Sequence, residues 1–206
     1  MWYNSPVDRT IRVQLQPSPE QAYALHQTID QFTQAFNLAS RKGWEQRTGN
    51  AYTIQRFTYR ENKNALPELV SDLHIQAIHK ASEAVKSAIR RQKQEHQATC
   101  PKSTFCPPRY NLHTFKVYWG TGLVSMSTSQ GRMKIPFKLP EYARYAVGNP
   151  TATADLIFRK SRFYLHIVVR LPGVPFVPNG KAIGVDLGVT HPAVTSDNRF
   201  HGNRHM

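Results

Sequence analysis

The hydrophobic residues of the chain recur with two different periods, which predict different structures in different regions. Near the N-terminus, Ile11, Val13 and Leu15 alternate with polar residues and predict a half-buried strand over residues 9–16. Across residues 17–97 the apolar positions recur every three or four residues, which is typical of amphipathic helices. Beyond that region, prolines and short β-type runs separated by turn residues predict an antiparallel barrel or sandwich.

Separate helices are predicted in the second region. The first begins with a capping box formed by Ser18 and Gln21 and ends near Gly43. A shorter helix is predicted over residues 54–63, and another begins near Ser71. These helices interrupt a β structure, because strand-like patterns stand on both sides of them in the sequence.

The third region contains a series of short strands. Lys160 and Ser161 predict a tight hairpin between the last two of them. Since the strand over residues 9–16 is isolated by the helices, we expect it to join the later strands in one sheet. The fold class is therefore α+β, with further strands over residues 113–119, 123–128, 132–137, 154–159 and 162–171.

An isolated acid lies in a short apolar run near the end of the chain. Ile183, Val185 and Leu187 alternate with small residues and with Asp186, which predicts a strand. An ionised carboxylate on a buried strand is costly unless a metal or hydrogen-bond donors satisfy it, so Asp186 is a candidate metal ligand. The alternative is an aspartate that accepts backbone hydrogen bonds at a strand end. Asp197 is predicted to stabilise a turn.

The charge balance of the chain points to a polyanionic partner. The sequence has 27 Lys and Arg against 13 Asp and Glu, a formal net charge of +14. Such an excess favours nucleic acid as the partner; the alternatives are a soluble protein that is basic by chance, or a ribosome-like or membrane-surface binder. Neither a signal peptide nor a run of about 20 apolar residues is present, so a soluble intracellular protein without membrane contact is expected.

Basic residues cluster in several places that are candidate nucleic-acid contacts. Phe57 and Tyr59 interleave the first cluster, and Phe57 is interpreted as a helix-core residue. The second cluster lies late in the third helix, and the last pair stands at the entrance to the barrel. The candidate contacts are Arg56, Arg60 and Lys63; Lys86, Arg90, Arg91 and Lys93; and Arg109 and Tyr110.

Four residues, His96, Cys100, Cys106 and His113, are candidate ligands of a zinc site. The spacing of these residues lacks the short Cys-x₂₋₄-Cys unit that structural zinc favours. Zinc is therefore not expected in this chain.

Six segments in fixed order carry a family resemblance. They are Leu15-Gln-Pro-Ser-Pro-Glu-Gln21, Asn37-Leu-Ala-Ser40, Arg109-Tyr-Asn-Leu-His-Thr-Phe115, Arg132-Met-Lys-Ile-Pro-Phe137, Ala154-Asp-Leu-Ile-Phe158 with Phe163-Tyr-Leu165, and Ile183-Gly-Val-Asp-Leu-Gly-Val-Thr190 with Ala193-Val-Thr-Ser-Asp197. Together they resemble the N-terminal half of the OrfB/TnpB family of bacterial insertion sequences, long called transposases. The chain is also similar to the compact type V CRISPR effectors.

The resemblance implies a domain order. A β-barrel "wedge" domain over residues 1–16 and 98–172 is interrupted by a helical recognition domain over residues 17–97. A linker over residues 173–180 leads to the first strands of a truncated RuvC-like nuclease domain of RNase H fold at residues 181–206.

The resemblance also implies a function. Such proteins resemble RNA-guided DNA endonucleases, whose partners are a guide RNA and a target DNA in the bacterial cytoplasm. Their nuclease holds two Mg²⁺ ions with three carboxylates. Asp186 matches the first, as catalytic residue and metal ligand, and the others are expected in a missing C-terminal half. The chain alone is therefore predicted to be inactive.

Two other functions remain open from the sequence. One is a non-catalytic RNA- or DNA-binding regulator that keeps the wedge and recognition domains. The other follows from the run around Asp186, which also looks like the first phosphate-binding strand of actin- and Hsp70-type ATPases. This reading predicts magnesium-dependent ATP binding.

Overall fold

A computed structural model describes residues 6–95, 97–173, 183–188 and 193–202. The chain forms two compact units, Pro6–Pro172 and the residues from Gly173 onward. The first is a mixed structure of helices and a nearly closed antiparallel barrel, which confirms the α+β class.

The helices of the first unit lie between its first and second strands. The capping box is confirmed: Ser18 Oγ accepts a hydrogen bond from Gln21 N at 3.2 Å, and Gln21 Oε1 accepts one from Ser18 N at 3.1 Å. The first helix continues through Gly43 to Glu45, because Gly43 is buried in the helix against Ile54. The helices are α1 (Pro19–Glu45), α2 (Ala51–Ala65) and α3 (Ser71–Glu95).

Seven strands form the sheet, in the order β2-β6-β7-β1-β5-β4-β3 with every pairing antiparallel. As expected, the N-terminal strand joins the later strands, where it lies between β7 and β5. Strand β3 also contacts β6, so the sheet nearly closes. The strands are β1 (Val7–Leu15), β2 (Arg109–Tyr110), β3 (Phe115–Tyr118), β4 (Leu123–Thr128), β5 (Gly131–Lys138), β6 (Thr151–Arg159) and β7 (Arg162–Leu171).

Local hydrogen bonds explain where the strands differ from prediction. Strand β3 begins later than expected, because the Asn111 side chain accepts hydrogen bonds from the backbone N–H groups of His113 and Thr114 and forms a turn. Strand β6 begins earlier, at Thr151, and contains a register irregularity before Ala154. The 3₁₀ helix Glu141–Ala146 was not predicted. The Lys160-Ser161 hairpin is confirmed, with φ of +50° and +57°.

The barrel and the helices share one hydrophobic core, and hydrogen bonds at the edge of this core connect the two. Thr33 of α1 accepts a hydrogen bond from the backbone N–H of Cys106 at 3.0 Å, and Thr28 accepts one from Ser129 at 2.9 Å. The predicted barrel and helical domains therefore share one core. Its buried members include Ile11, Val13, Leu165 and Ile167 from the barrel and Leu25, Phe32, Leu73 and Ile78 from the helices.

The second unit contains a small antiparallel sheet in the order β10-β9-β8. Asn198 adopts φ +60°, as its turn position predicts. The linker beyond Gly173, together with residues 181–182 and 189–192, lies outside the described residues. The strands are β8 (Val185–Asp186), β9 (Ala193–Thr195) and β10 (Phe200–His201).

Candidate nucleic-acid interface

The positive charge of the chain is concentrated in the barrel segments. Residues 6–16 and 98–172 contain 13 Lys and Arg against three Asp and Glu, a net charge of +10. Residues 17–97 contain 11 against eight, a net charge of +3. The barrel is therefore the more attractive surface for a polyanion, although most sequence-predicted contacts lie on the helices.

Strand pairing brings basic and aromatic residues together on the outer side of the barrel. In the register of β1 and β7, Arg12 lies opposite His166 and Gln14 lies opposite Tyr164, while Gln14 also lies opposite Lys138 of β5. Their neighbours in sequence on β1 and β7 are buried, so these side chains share the outer face. We define the barrel face as Arg12, Gln14, Lys138, Tyr142, Arg159, Lys160, Tyr164 and His166.

Two tyrosines of the barrel face are held by Arg12. The Arg12 guanidinium lies over the Tyr164 ring, 5.3 Å from its centroid. Tyr142 Oη accepts a hydrogen bond from Arg12 N at 3.1 Å and donates one to Arg12 O at 3.2 Å. These backbone groups are available because β1 pairs with β5 only at Gln14 and Leu15. The Tyr142 ring, which is 56% exposed, is therefore a positioned aromatic surface.

Two clefts of about 260 and 350 Å³ meet at Arg12 and Tyr164 on the barrel face. In the part of the chain that the structure describes, no ion pair involves the face's cations, which are Arg12, Lys138, Arg159 and Lys160.

His166 lies in this cationic surface as a neutral polar group. Burial lowers the pKa of His166, and the charge of Arg12 lowers it further, while Asp155 acts in the opposite direction. At neutral pH its imidazole can therefore donate one hydrogen bond and accept another.

The predicted cluster on α2 forms a single stripe. Arg56, Arg60 and Lys63 follow the i, i+4, i+7 spacing, and both arginines are exposed. Lys63 Nζ donates to Ser71 Oγ at 3.1 Å. The interpretation of Phe57 as a core residue is wrong, because its side chain is 50% exposed. It follows Ile54 by three residues and lies about 60° from it around the helix axis, just outside the buried strip formed by Ile54, Thr58 and Asn62.

The predicted cluster on α3 divides between two sides of the helix. Lys86, Arg90 and Lys93 are exposed and share the i, i+4, i+7 spacing. Arg91 is also exposed but points about 140° away from Lys86 around the helix axis. The structure therefore brings together three of the four predicted contacts.

The two predicted contacts at the barrel entrance are both occupied within the fold, Tyr110 in the core and Arg109 in ion pairs. Tyr110 has no exposed surface, and burial raises the pKa of its phenol, so it is removed from the candidate contacts. Arg109 binds both carboxylate oxygens of Glu83, at 2.8 and 3.2 Å, and lies 4.0 Å from Asp155. This pairing lowers the pKa of Glu83 and raises that of Arg109. Arg109 thus links α3 to the barrel.

Asp186 lies on β8 opposite Val194 and is exposed, contrary to the expected buried strand. The other described acid of this unit, Asp197, accepts a hydrogen bond from the Thr195 hydroxyl and pairs with Arg199 at 3.2 Å, which confirms its role in the turn. No cluster of three His, Cys, Asp or Glu that could hold a metal occurs within the described ranges. A pair of Mg²⁺ ions needs several oxygen ligands, so the donors present here do not fit such a centre.

The two cysteines are free and differ in burial. Cys106 is buried, which raises the pKa of its thiol to about 11, and Cys100 is partly buried. His96, the first residue of the zinc pattern, lies outside the described residues.

Comparison with known proteins assigns no family to this chain: no protein-family model matches it, and no curated protein matches it. The TnpB resemblance therefore rests on the segments named above. Among the helices that the structure describes, none has the length and apolar character needed to cross a membrane.

The barrel face was missed by sequence reasoning, although a signal for it exists. Arg12 and Gln14 alternate with buried residues on one predicted strand, and Tyr164 and His166 do so on another. Nothing local in the sequence, however, shows that these two strands are neighbours.

Proposed function

We propose that this chain is a TnpB-like protein that binds a guide RNA and a target DNA, and that the barrel face is its main RNA contact. The observation that carries the proposal is that the exposed Tyr142 and the half-buried Tyr164 lie beside cations outside any described ion pair, on a barrel of net charge +10. The order of the six family-like segments supports the assignment to the TnpB type.

The chemistry of the barrel face favours unpaired nucleotides. Lys138, Arg159 and Lys160 neutralise phosphates along the strand, while the ring of Tyr142 stacks on a base. Base stacking on an aromatic side chain requires a base that is not already stacked in a duplex, which is typical of single-stranded RNA recognition. Neutral His166 adds a hydrogen-bonding group that reads a base edge or a 2′-hydroxyl.

Asp186 is proposed as the first carboxylate of a RuvC-like nuclease. In this proposal the chain corresponds to half of an RNA-guided DNA endonuclease. One carboxylate does not hold two Mg²⁺ ions, so this polypeptide alone is expected to leave DNA intact. Incubation of the purified chain with Mg²⁺ and plasmid or guide-matched DNA tests this statement. Turnover that disappears in Asp186→Ala would overturn it.

RNA binding by the full chain tests the barrel face directly. Affinity for a single-stranded RNA is measured across a salt series for the wild type, Tyr142→Ala, and Lys138→Gln with Arg159→Gln. Loss of one stacking contact weakens binding about tenfold or more. Removal of two phosphate contacts makes the slope of log K against log salt about 1.4 less negative.

The matched control for charge is Lys42→Gln with Arg170→Gln, since both cations pair with acids away from the barrel face. Equal losses in the control and in the barrel-face variants would contradict the proposed contact. RNA that copurifies from bacterial cells is then sequenced. A discrete transcript supports a guide, whereas a random sample of cellular RNA contradicts the guide assignment.

A second candidate, a non-catalytic nucleic-acid-binding regulator, is favoured by one observation. The described donors around Asp186 do not fit a two-metal centre. This candidate predicts the same RNA binding, and it predicts that Asp186→Ala leaves every nucleic-acid-dependent activity of the protein in cells unchanged.

A further inference from the structure

A cleft lies between α1 and the segment that follows α3, and it shares no residue with the barrel face. Its volume is about 530 Å³, within the range of small-molecule sites. Its partly buried wall and exposed mouth differ in chemistry. The wall includes Leu38, Cys100 and Pro101, and the mouth includes Gln34, Arg41 and Lys102. We call it the α1 cleft.

Asn37 fixes the shape of the α1 cleft. Its Nδ2 donates to Ser103 O at 2.8 Å, and its Oδ1 accepts from Ser103 N at 2.9 Å. This pair of bonds fastens the segment that carries Cys100, Pro101 and Lys102 to α1. The cleft is therefore formed before any ligand binds, which lowers the entropy cost of binding.

The charges at the mouth are available to an anion. Neither Arg41 nor Lys102 takes part in an ion pair within the described ranges. The carboxylate of Glu45, one turn along α1 from Arg41, lies 3.9 Å from the ammonium of Lys42, and its charge also raises the pKa of the Cys100 thiol, so Arg41 and Lys102 are two cations against one nearby acid. The side-chain amide of Gln34 has no hydrogen bond to any described residue, so its donor and acceptor both face solvent at the mouth.

We propose that the α1 cleft binds one nucleotide unit. The base packs against Leu38 and Pro101, the amide of Gln34 bonds to its edge, and Arg41 and Lys102 bind its phosphate. A free nucleoside monophosphate and an unstacked nucleotide of a bound strand present the same chemistry. The inference stands independently of the barrel face, because the two surfaces have no residue in common.

Cys100 provides a built-in reporter for this site. Burial raises the pKa of both thiols, but Cys106 is the more deeply buried and its pKa rises to about 11, so alkylation at mildly alkaline pH modifies Cys100 first. The rate of Cys100 alkylation by iodoacetamide is followed by peptide mass spectrometry on the full chain. The added ligands are AMP, a short single-stranded oligonucleotide at equal nucleotide concentration, and benzoate.

We expect saturable protection of Cys100 by a nucleotide ligand. Protection by AMP supports a free nucleotide, and protection by the oligonucleotide alone supports a nucleotide within a strand. Arg41→Gln and Lys102→Gln each raise the half-protecting concentration about tenfold, because each removes a charge-assisted contact to the phosphate. The matched control Lys116→Gln removes an exposed cation of β3, outside both the α1 cleft and the barrel face, and leaves protection unchanged.

Three results would overturn the proposal: no protection by AMP or the oligonucleotide, undiminished protection in the Arg41→Gln/Lys102→Gln double variant, or protection by benzoate equal to that by AMP. The first of these needs no variant, so misfolding of a variant does not obscure it. Loss of RNA binding in the barrel-face variants, measured separately, tests the proposed function and is independent of Cys100 protection.

Discussion

Lys80 of α3 donates a hydrogen bond to the carboxylate of Asp155 on β6 at 2.9 Å and a second to the carbonyl of Pro107 at 2.7 Å. The Lys80 side chain is only 13% exposed to solvent, so these two acceptors, rather than water, stabilise its positive charge. This ion pair fastens α3 to the barrel at the position where Arg109 also joins them.

Lys80→Ala is expected to destabilise the fold by about 1–2 kcal/mol, because Asp155 and the Pro107 carbonyl lose a partner. The partial exposure of Asp155 keeps the loss below that of a fully buried pair. Urea unfolding of wild type and variant measures it. Lys42→Ala, which breaks an exposed pair with Glu45, serves as the control and should change stability by less than about 0.5 kcal/mol. Equal effects in the two variants would refute the special role of Lys80.

Gly49 allows the loop before α2 to approach the backbone of α3. A Cβ at this position would lie 2.6 Å from Cβ and 2.8 Å from Cα of Lys86. Gly49→Ala is therefore expected to cost about 1–3 kcal/mol through overpacking, and thermal unfolding measures the loss. Gly120→Ala is the control, since nothing lies within 4 Å of the added Cβ. The prediction fails if the two variants unfold at the same temperature.

The buried His74 makes the free energy of unfolding depend on pH. It is fully buried, its Nε2 lies 3.1 Å from Leu66 O, and burial lowers the pKa of its imidazole, with the charge of Lys63 adding to this effect. The unfolded chain therefore binds a proton more readily than the folded protein. The stability that this group contributes is fully present above pH 6.5, the ordinary pKa of histidine, and is lost as the pH falls towards the lowered pKa of the folded state.

The slope of unfolding free energy against pH, measured from pH 8 to 5 by urea denaturation, approaches about 1.4 kcal/mol per pH unit for one such group. His74→Gln should reduce this slope. His166 also has a lowered pKa, so His166→Gln is measured in parallel and should leave the contribution of His74 intact. A slope that is unchanged in His74→Gln would contradict the assignment.

Ser161 lies in the hairpin turn with a left-handed backbone, φ +57°. Since a non-glycine residue is strained there, Ser161→Gly is expected to stabilise the protein by about 0.5–1 kcal/mol. Ser87→Gly on the exposed side of α3 is the opposite-sign control, with an expected loss of about 0.5–1 kcal/mol. Thermal unfolding of both variants decides the point, and destabilisation by Ser161→Gly would show that the turn is not strained.

Features with a local physical cause were predicted well from the sequence. The capping box of Ser18 and Gln21 and the Lys160-Ser161 hairpin depend on a few neighbouring residues. The insertion of helices after the first strand followed from the change of hydrophobic period. Phe57 was misplaced because helical spacing alone does not say how wide the buried side of α2 is.

Features that depend on distant pairing could not be predicted. The barrel face requires the register of β1 against β7 and β5, which the tertiary fold sets. Tyr110 looked like an entrance residue because its burial depends on elements remote in sequence. The exposure of Asp186 likewise could not be read from the alternation around it, since alternation shows which residues share a side and not what covers it.

The central place of β1 in the barrel has a consequence for how the protein folds during synthesis. Asp8 of this strand pairs with Arg170, 162 residues later in the chain. The first strand therefore leaves the ribosome long before its neighbours on either side are synthesised. Its backbone N–H and C=O groups have no strand to pair with while the helices are being made. Such a high contact order predicts slow barrel closure and a nascent chain that depends on chaperones until β7 emerges.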